Sequence, residues 1–267
     1  MVKGTTINPP ASAKKRYEAR ARSWLATVAS MVERGISDLF SAHDAIDDNE
    51  PGITDKATAL LRRVRREFDL IAKAGGEEFV LSWARELDRA SSAQVFGSLK
   101  ELSGGLSLPT RRLDAGSKEV LRAAVKENVA LIRSIPEDYL ARVERMIYTA
   151  ITEGRTMADI APALQKEHGK SARKAHLMAA DQTRKAMNGL SRGRLERLGV
   201  TDYEWIHTGG SAHPRKDHIA LSGKTFSLTE PAGMARNKDG EAITPGSEIN
   251  CRCRFRPVIV FDDGTVF

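Results

Sequence analysis

Four residues in the second half of the chain have the types and spacing to hold a metal ion. His213 and His218 are five apart, and Cys251 and Cys253 are two apart. Two imidazole nitrogens and two thiolates form the donor set of a tetrahedral structural zinc. The C-x-C spacing is tighter than the common C-x-x-C, because two same-face positions of a strand strain a chelate to one metal. The alternative is two reduced, half-buried cysteines beside a polar histidine pair, and beyond this zinc no cofactor is expected. A second constellation joins Asp217 and His218 to Asn237 and Lys238. A histidine beside a carboxylate, with an Asn-bearing loop beyond, is part of the chemistry by which a metal-dependent nuclease activates water. The second metal histidine of such a site is missing after Asn250. No phosphate-cradling G-x-x-x-x-G-K-[ST], no G-x-G-x-x-G and no G-x-S-x-G occurs. No catalytic residue is assigned, and no enzyme activity is expected.

The third candidate is a basic helix. Residues 155–199 carry ten Lys and Arg against four Asp and Glu, nearly the whole of the chain's net charge of +7. Lys170, Arg173, Lys174, Arg184, Lys185, Arg192, Arg194 and Arg197 fall partly at three- and four-residue spacings. Such a stripe suits an acidic partner, either a protein face or the phosphates of double-stranded DNA, with salt-sensitive and sequence-neutral affinity. Without interleaved aromatics it offers no base stacking. The plain alternative is a solvated helix face.

Helices must position these groups. Hydrophobic residues make up 41% and aromatics 6% of the 267 residues, a balance that excludes a disordered chain and favours helix over a β-sandwich. No apolar run is long enough to span a membrane, and residues 1–23 lack the apolar core of a secretion signal, so synthesis and retention in the cytosol are expected. The two cysteines exclude a disulfide framework.

Residues 1–12, with the pair Pro9-Pro10, read as a flexible basic arm. Residues 13–102 read as an N-terminal helical region. Its first helix reaches about residue 46, a second is capped by Thr54 and stopped by Ala74-Gly75-Gly76, a third covers about 77–90, and a short one lies near 92–102. Residues 103–116 are the expected linker. Two helices follow, divided at Pro136. Thr156 and Asp159 cap a short helix ended by Gly169, and Ser171 caps a long one ended by Gly199. Residues 200–267 form an α+β tail with strands near 203–207, 224–226 and 252–261, the last edged at Pro257, and a long loop over 229–249. The class is predominantly α-helical α+β, with a central helix bundle and a short antiparallel sheet.

The second half also resembles a known family. Ile135-Pro136-Glu137-Asp138-Tyr139 and Ala180-Asp181-Gln182-Thr183-Arg184-Lys185 are followed by Tyr203-Glu204-Trp205 and by Arg215, His218, Leu221 and Gly223. Pro245-Gly246 and Asn250-Cys251-Arg252-Cys253 close the series. Their order and spacing are similar to those of the Mu F-like phage head morphogenesis proteins, the minor head (minor capsid) proteins. The likeness covers roughly 117–260 and makes 117–267 a Mu F-like domain. It implies a structural protein of a tailed phage or prophage, present in few copies inside the head. Such a protein sits near the portal, takes part in DNA packaging or ejection, and occupies the host cytoplasm during assembly. Portal, capsid or scaffold proteins and packaged double-stranded DNA are the implied partners, with residues 13–102 facing portal or scaffold. Many members carry further cysteines where this chain has Ser211-Ala212-His213-Pro214-Arg215, which leaves His213 as the substitute ligand. The alternatives are a metal-dependent nuclease and a plain DNA-binding module.

Overall fold

The computed structural model describes residues 1–41, 52–103, 115–210 and 214–259. The chain opens with β1 (Val2–Lys3) and continues through α1 (Ala11–Ser41), α2 (Ile53–Leu102), α3 (Ala115–Thr152) and α4 (Met157–Arg197). Then come β2 (Asp202–Ile206), α5 (Lys216–Leu221), β3 (Thr225–Ser227) and β4 (Arg254–Ile259). This is the expected helical α+β class with a small antiparallel sheet.

The helices are fewer and longer than their local signals predict. Ala74-Gly75-Gly76 does not stop α2, which runs unbroken through 50 residues. A glycine costs a helix about 1 kcal/mol, and burial of the flanking apolar residues outweighs it. A Cβ on Gly76 would stand 3.2 Å from Trp24 Cη2, so this glycine admits the indole of α1 against α2. Pro136 does not divide α3 either. It removes one hydrogen bond, but buried Ile132, Ile135, Tyr139 and Leu140 hold the helix against its neighbours on both sides of the proline. Gly169 lies inside α4, and Ser171 is no cap. Its hydroxyl is buried and accepts a 2.8 Å bond from Arg142 Nη2 of α3. The Thr156–Asp159 cap does form, with Thr156 N and Oγ1 both donating to Asp159 Oδ2 at 2.8 and 2.7 Å. Gly154 and Gly199, both at positive φ, end α3 and α4, the second of them as expected.

Two compact units emerge, and neither follows the linear division 13–102 and 117–267. One is built from Met1–Lys14, Ser82–Val125 and Ala180–Phe267, the other from Lys15–Leu81 and Lys126–Ala179. The second unit is four helical segments closed on themselves. Trp24 meets Phe68 edge-on at 5.7 Å, Arg65 pairs with Glu144 at 2.6 Å, Arg142 with Glu167 at 2.7 Å, and His176 with Glu18 at 2.9 Å. These contacts link α1 to α2, α2 to α3, α3 to α4 and α4 back to α1. Val28, Leu61, Phe68, Val143 and Ile147 fill its interior.

The first unit holds the sheet, in strand order β1-β4-β2-β3 with every pair antiparallel. Residues 1–12 are therefore not a free arm. Val2 and Lys3 pair with Ile259 and Val258, Gly4 N and Ile7 N donate to the carbonyls of Pro257 and Phe255, and Ile7 is fully buried. The apolar Ile7 and the unsatisfied edge of β4 attract the segment. Pro257 is tolerated within β4 because its nitrogen faces the same side as its carbonyl, toward the short strand β1, and leaves the β2 ladder intact. The core joins Ile7, Val95, Leu99, Met187, Leu195, Tyr203, Trp205, Cys251, Cys253 and Phe255.

Candidate metal centre

Three of the sequence-predicted ligands come together. One donor atom each from buried His218, Cys251 and Cys253 lies within 4.8 Å of the others. His218 Nδ1 stands 3.5 Å from Cys251 Sγ and 3.7 Å from Cys253 Sγ. The ring is wedged edge-on against Trp205 at 5.2 Å, and its Nε2 faces Glu248 Oε2 at 2.8 Å. Asn237 Nδ2 donates to Glu248 Oε1 at 3.1 Å, and Arg215 Nε lies 3.5 Å from Oε2. The remaining sequence-predicted ligand, His213, lies outside the described residues. A residue missing from that set takes a neighbouring place: His207 Nδ1 stands 3.5 Å from Cys253 Sγ. Its sequence signal is its position just past the end of β2, two residues after Trp205, but nothing local marks that end as facing the cysteines.

The two thiols differ sharply. A hydrogen bond from Cys253 holds the Cys251 thiol down, to about 5, helped by Gly246 N donating to its sulfur at 3.3 Å. The same bond, together with burial, pushes the Cys253 thiol up.

The residues carrying the family likeness surround this cluster. Asp181 Oδ1 accepts from Asn250 N at 2.7 Å, fastening α4 to the turn in which Asn250 takes a φ of 58°. Asn188 Nδ2 donates to Pro245 O at 2.6 Å, and a Cβ on Gly246 would meet the same amide at 2.4 Å. Gln182 and Thr183 are buried. Arg215 Nη2 donates to Ile249 O, and Gly223 N donates to Trp205 O at 2.8 Å, while Leu221 packs on the core. Cys251 and Cys253 point inward, and Arg252, Arg254 and Arg256 alternate outward.

The nuclease constellation takes on structural tasks. Asp217 accepts from the backbone of His218 and of Lys238 at 3.0 and 3.2 Å, and Asn237 Oδ1 accepts from the amides of Asp239 and Glu241. Both organise the loop.

The basic helix is divided. Lys170, Arg173 and Lys174 fall in the unit of Lys15–Leu81 and Lys126–Ala179, the other five in the sheet-bearing unit. Lys170 pairs with Glu167, Lys174 with Asp138, Lys185 with Asp181 and Arg192 with Glu196. Arg194 is no surface contact. It is buried, pairs with Asp88, and donates to Ser91 Oγ at 2.7 Å, because its helix face turns toward α2. Arg173 and Arg197 are exposed. Arg184 is half-buried, and desolvation lowers its pKa, with Arg252 and Arg254 adding to the effect.

Comparison with known proteins agrees with the likeness. Residues 141–256 match the family described as "Phage Mu protein F like protein", within the span expected from the motifs. An uncharacterized protein of Haemophilus influenzae is 24% identical over 244 residues, covering 91% of this chain and 52% of its own length. The chain thus spans about half the length of that curated relative. No solved structure matches.

Proposed function

We propose, from the match of residues 141–256 to the Mu F-like family, that this protein is a minor capsid protein of a tailed bacteriophage or prophage. It acts in head assembly beside the portal and in packaging or ejection of the DNA, without catalytic turnover. The carrying observation is that the residues of the family likeness, from Asp181 to Cys253, close on one packed module with every motif contributing a contact. The helices of residues 13–102 face portal or scaffold, and exposed basic residues of α4, Arg173 among them, are offered to an acidic partner. The test is quantitative mass spectrometry of purified particles, with and without the gene. A few copies per head, and DNA-poor or poorly infectious particles in its absence, are expected. Particles that lack the chain altogether overturn the proposal.

A further inference from the structure

A tetrahedral zinc with Zn–S of about 2.3 Å and Zn–N of about 2.05 Å holds its sulfur and nitrogen ligands about 3.6 Å apart. Three sulfur–nitrogen separations in this cluster fall on that edge: 3.5 and 3.7 Å from His218 Nδ1 to the two sulfurs, and 3.5 Å from His207 Nδ1 to Cys253 Sγ. We propose that His218, Cys251 and Cys253 bind one zinc ion, with His207 as the fourth ligand.

Three further observations support it. The first is the surroundings of His218. Glu248, itself held by Asn237 and Arg215, faces Nε2 at 2.8 Å. The carboxylate lies on the Nε2 side of the ring while Nδ1 is on the side of the sulfurs, the placement of an outer-shell carboxylate behind a metal-bound histidine. The second concerns the chelate. Cys251 and Cys253 precede β4, which begins at Arg254, and the chain enters them from the turn at Asn250. The sulfurs are therefore not confined to a flat strand, and the objection to C-x-C is lifted. The third is position. The ligands come from the end of β2, from α5 and from the approach to β4, so one ion joins three separate segments of the module.

His207 is half-buried and reaches only Cys253. Rotation of its side chain completes the tetrahedron on binding. The site is structural, since four protein ligands leave no open position for water or substrate.

The test uses the full chain, expressed with zinc and desalted without chelator. Elemental analysis should find about one zinc per chain, and a content below about a tenth overturns the proposal. Replacement by Co2+ should produce thiolate-to-cobalt charge-transfer absorption and the visible bands of a tetrahedral site. An octahedral spectrum also overturns it. His213→Ala should leave both readings unchanged, whereas His207→Ala should weaken binding and alter the cobalt spectrum. The reverse pattern rejects His207 as a ligand. Glu248→Gln should weaken zinc about 10- to 100-fold with the spectrum retained. An unchanged affinity rejects the orienting role. Particle incorporation is measured separately, so failure here leaves the head-protein reading standing.

Discussion

At the residue scale, the charged groups sort by how far they are removed from water. Arg194 and Asp88 are 10% and 14% exposed, and Arg194 also bonds Ser91, whose hydroxyl meets that of Ser191 at 2.8 Å. Truncating one partner strands the other. Arg194→Ala should cost about 3 kcal/mol in urea unfolding, while Arg194→Met combined with Asp88→Leu should cost far less. Arg173→Ala, at an exposed position, should lie within about 0.5 kcal/mol of the parent. Glu204 carries a pH dependence. Arg256 donates to its carboxylate at 2.5 Å and holds it below the ordinary glutamate range against the opposing effect of burial, and Lys3 at 3.2 Å adds to this. The unfolded chain keeps the ordinary value of 4.5, so this stabilisation is complete above that pH. It is lost as pH falls through the depressed folded value. Thermal unfolding of Glu204→Gln and the parent should differ most near neutrality and converge on acidification. A constant difference would reject the ion pair as the source.

At the element scale, α2 shows how tertiary contacts override local punctuation. Gly75 and Gly76 look alike in sequence, but a Cβ on Gly75 meets nothing within 4 Å while one on Gly76 meets Trp24. Gly75→Ala should therefore raise stability by about 0.5–1 kcal/mol, and Gly76→Ala should fall short of that gain; paired melting temperatures decide it. The same holds for β1. Ile7 is fully buried beneath the sheet, so Ile7→Ala should destabilise by about 2–4 kcal/mol, as a core deletion does and a loop substitution does not.

At the scale of the whole molecule, the unit that carries the sheet is assembled from three separated stretches of chain. A fragment beginning at residue 117 would retain Met187, Trp205 and Phe255 but lose Ile7, Val95, Leu99 and Leu102 from the same core. Such a fragment should show little cooperative unfolding by circular dichroism and rapid proteolysis. Restoring residues 1–14 and 82–116 in a single chain should recover both properties. A fragment of 117–267 that melts sharply alone would overturn this reading of the core.

The helical periodicity behind α1 to α4, the Thr156–Asp159 cap and the glycine that ends α4 were all legible in sequence. Each is a rule acting within a turn of helix. The order of the motifs from Asp181 to Cys253 likewise identified the Mu F-like segment without any coordinates. The continuity of α2 through two glycines and of α3 through Pro136, the capture of residues 2–7 by β4, and the burial of Arg194 were decided only by tertiary structure. So was the approach of His207 to Cys253, which no local signal marks. In each case the deciding partner is distant along the chain, and the energy comes from burying apolar surface or pairing polar groups that only the folded chain brings within reach.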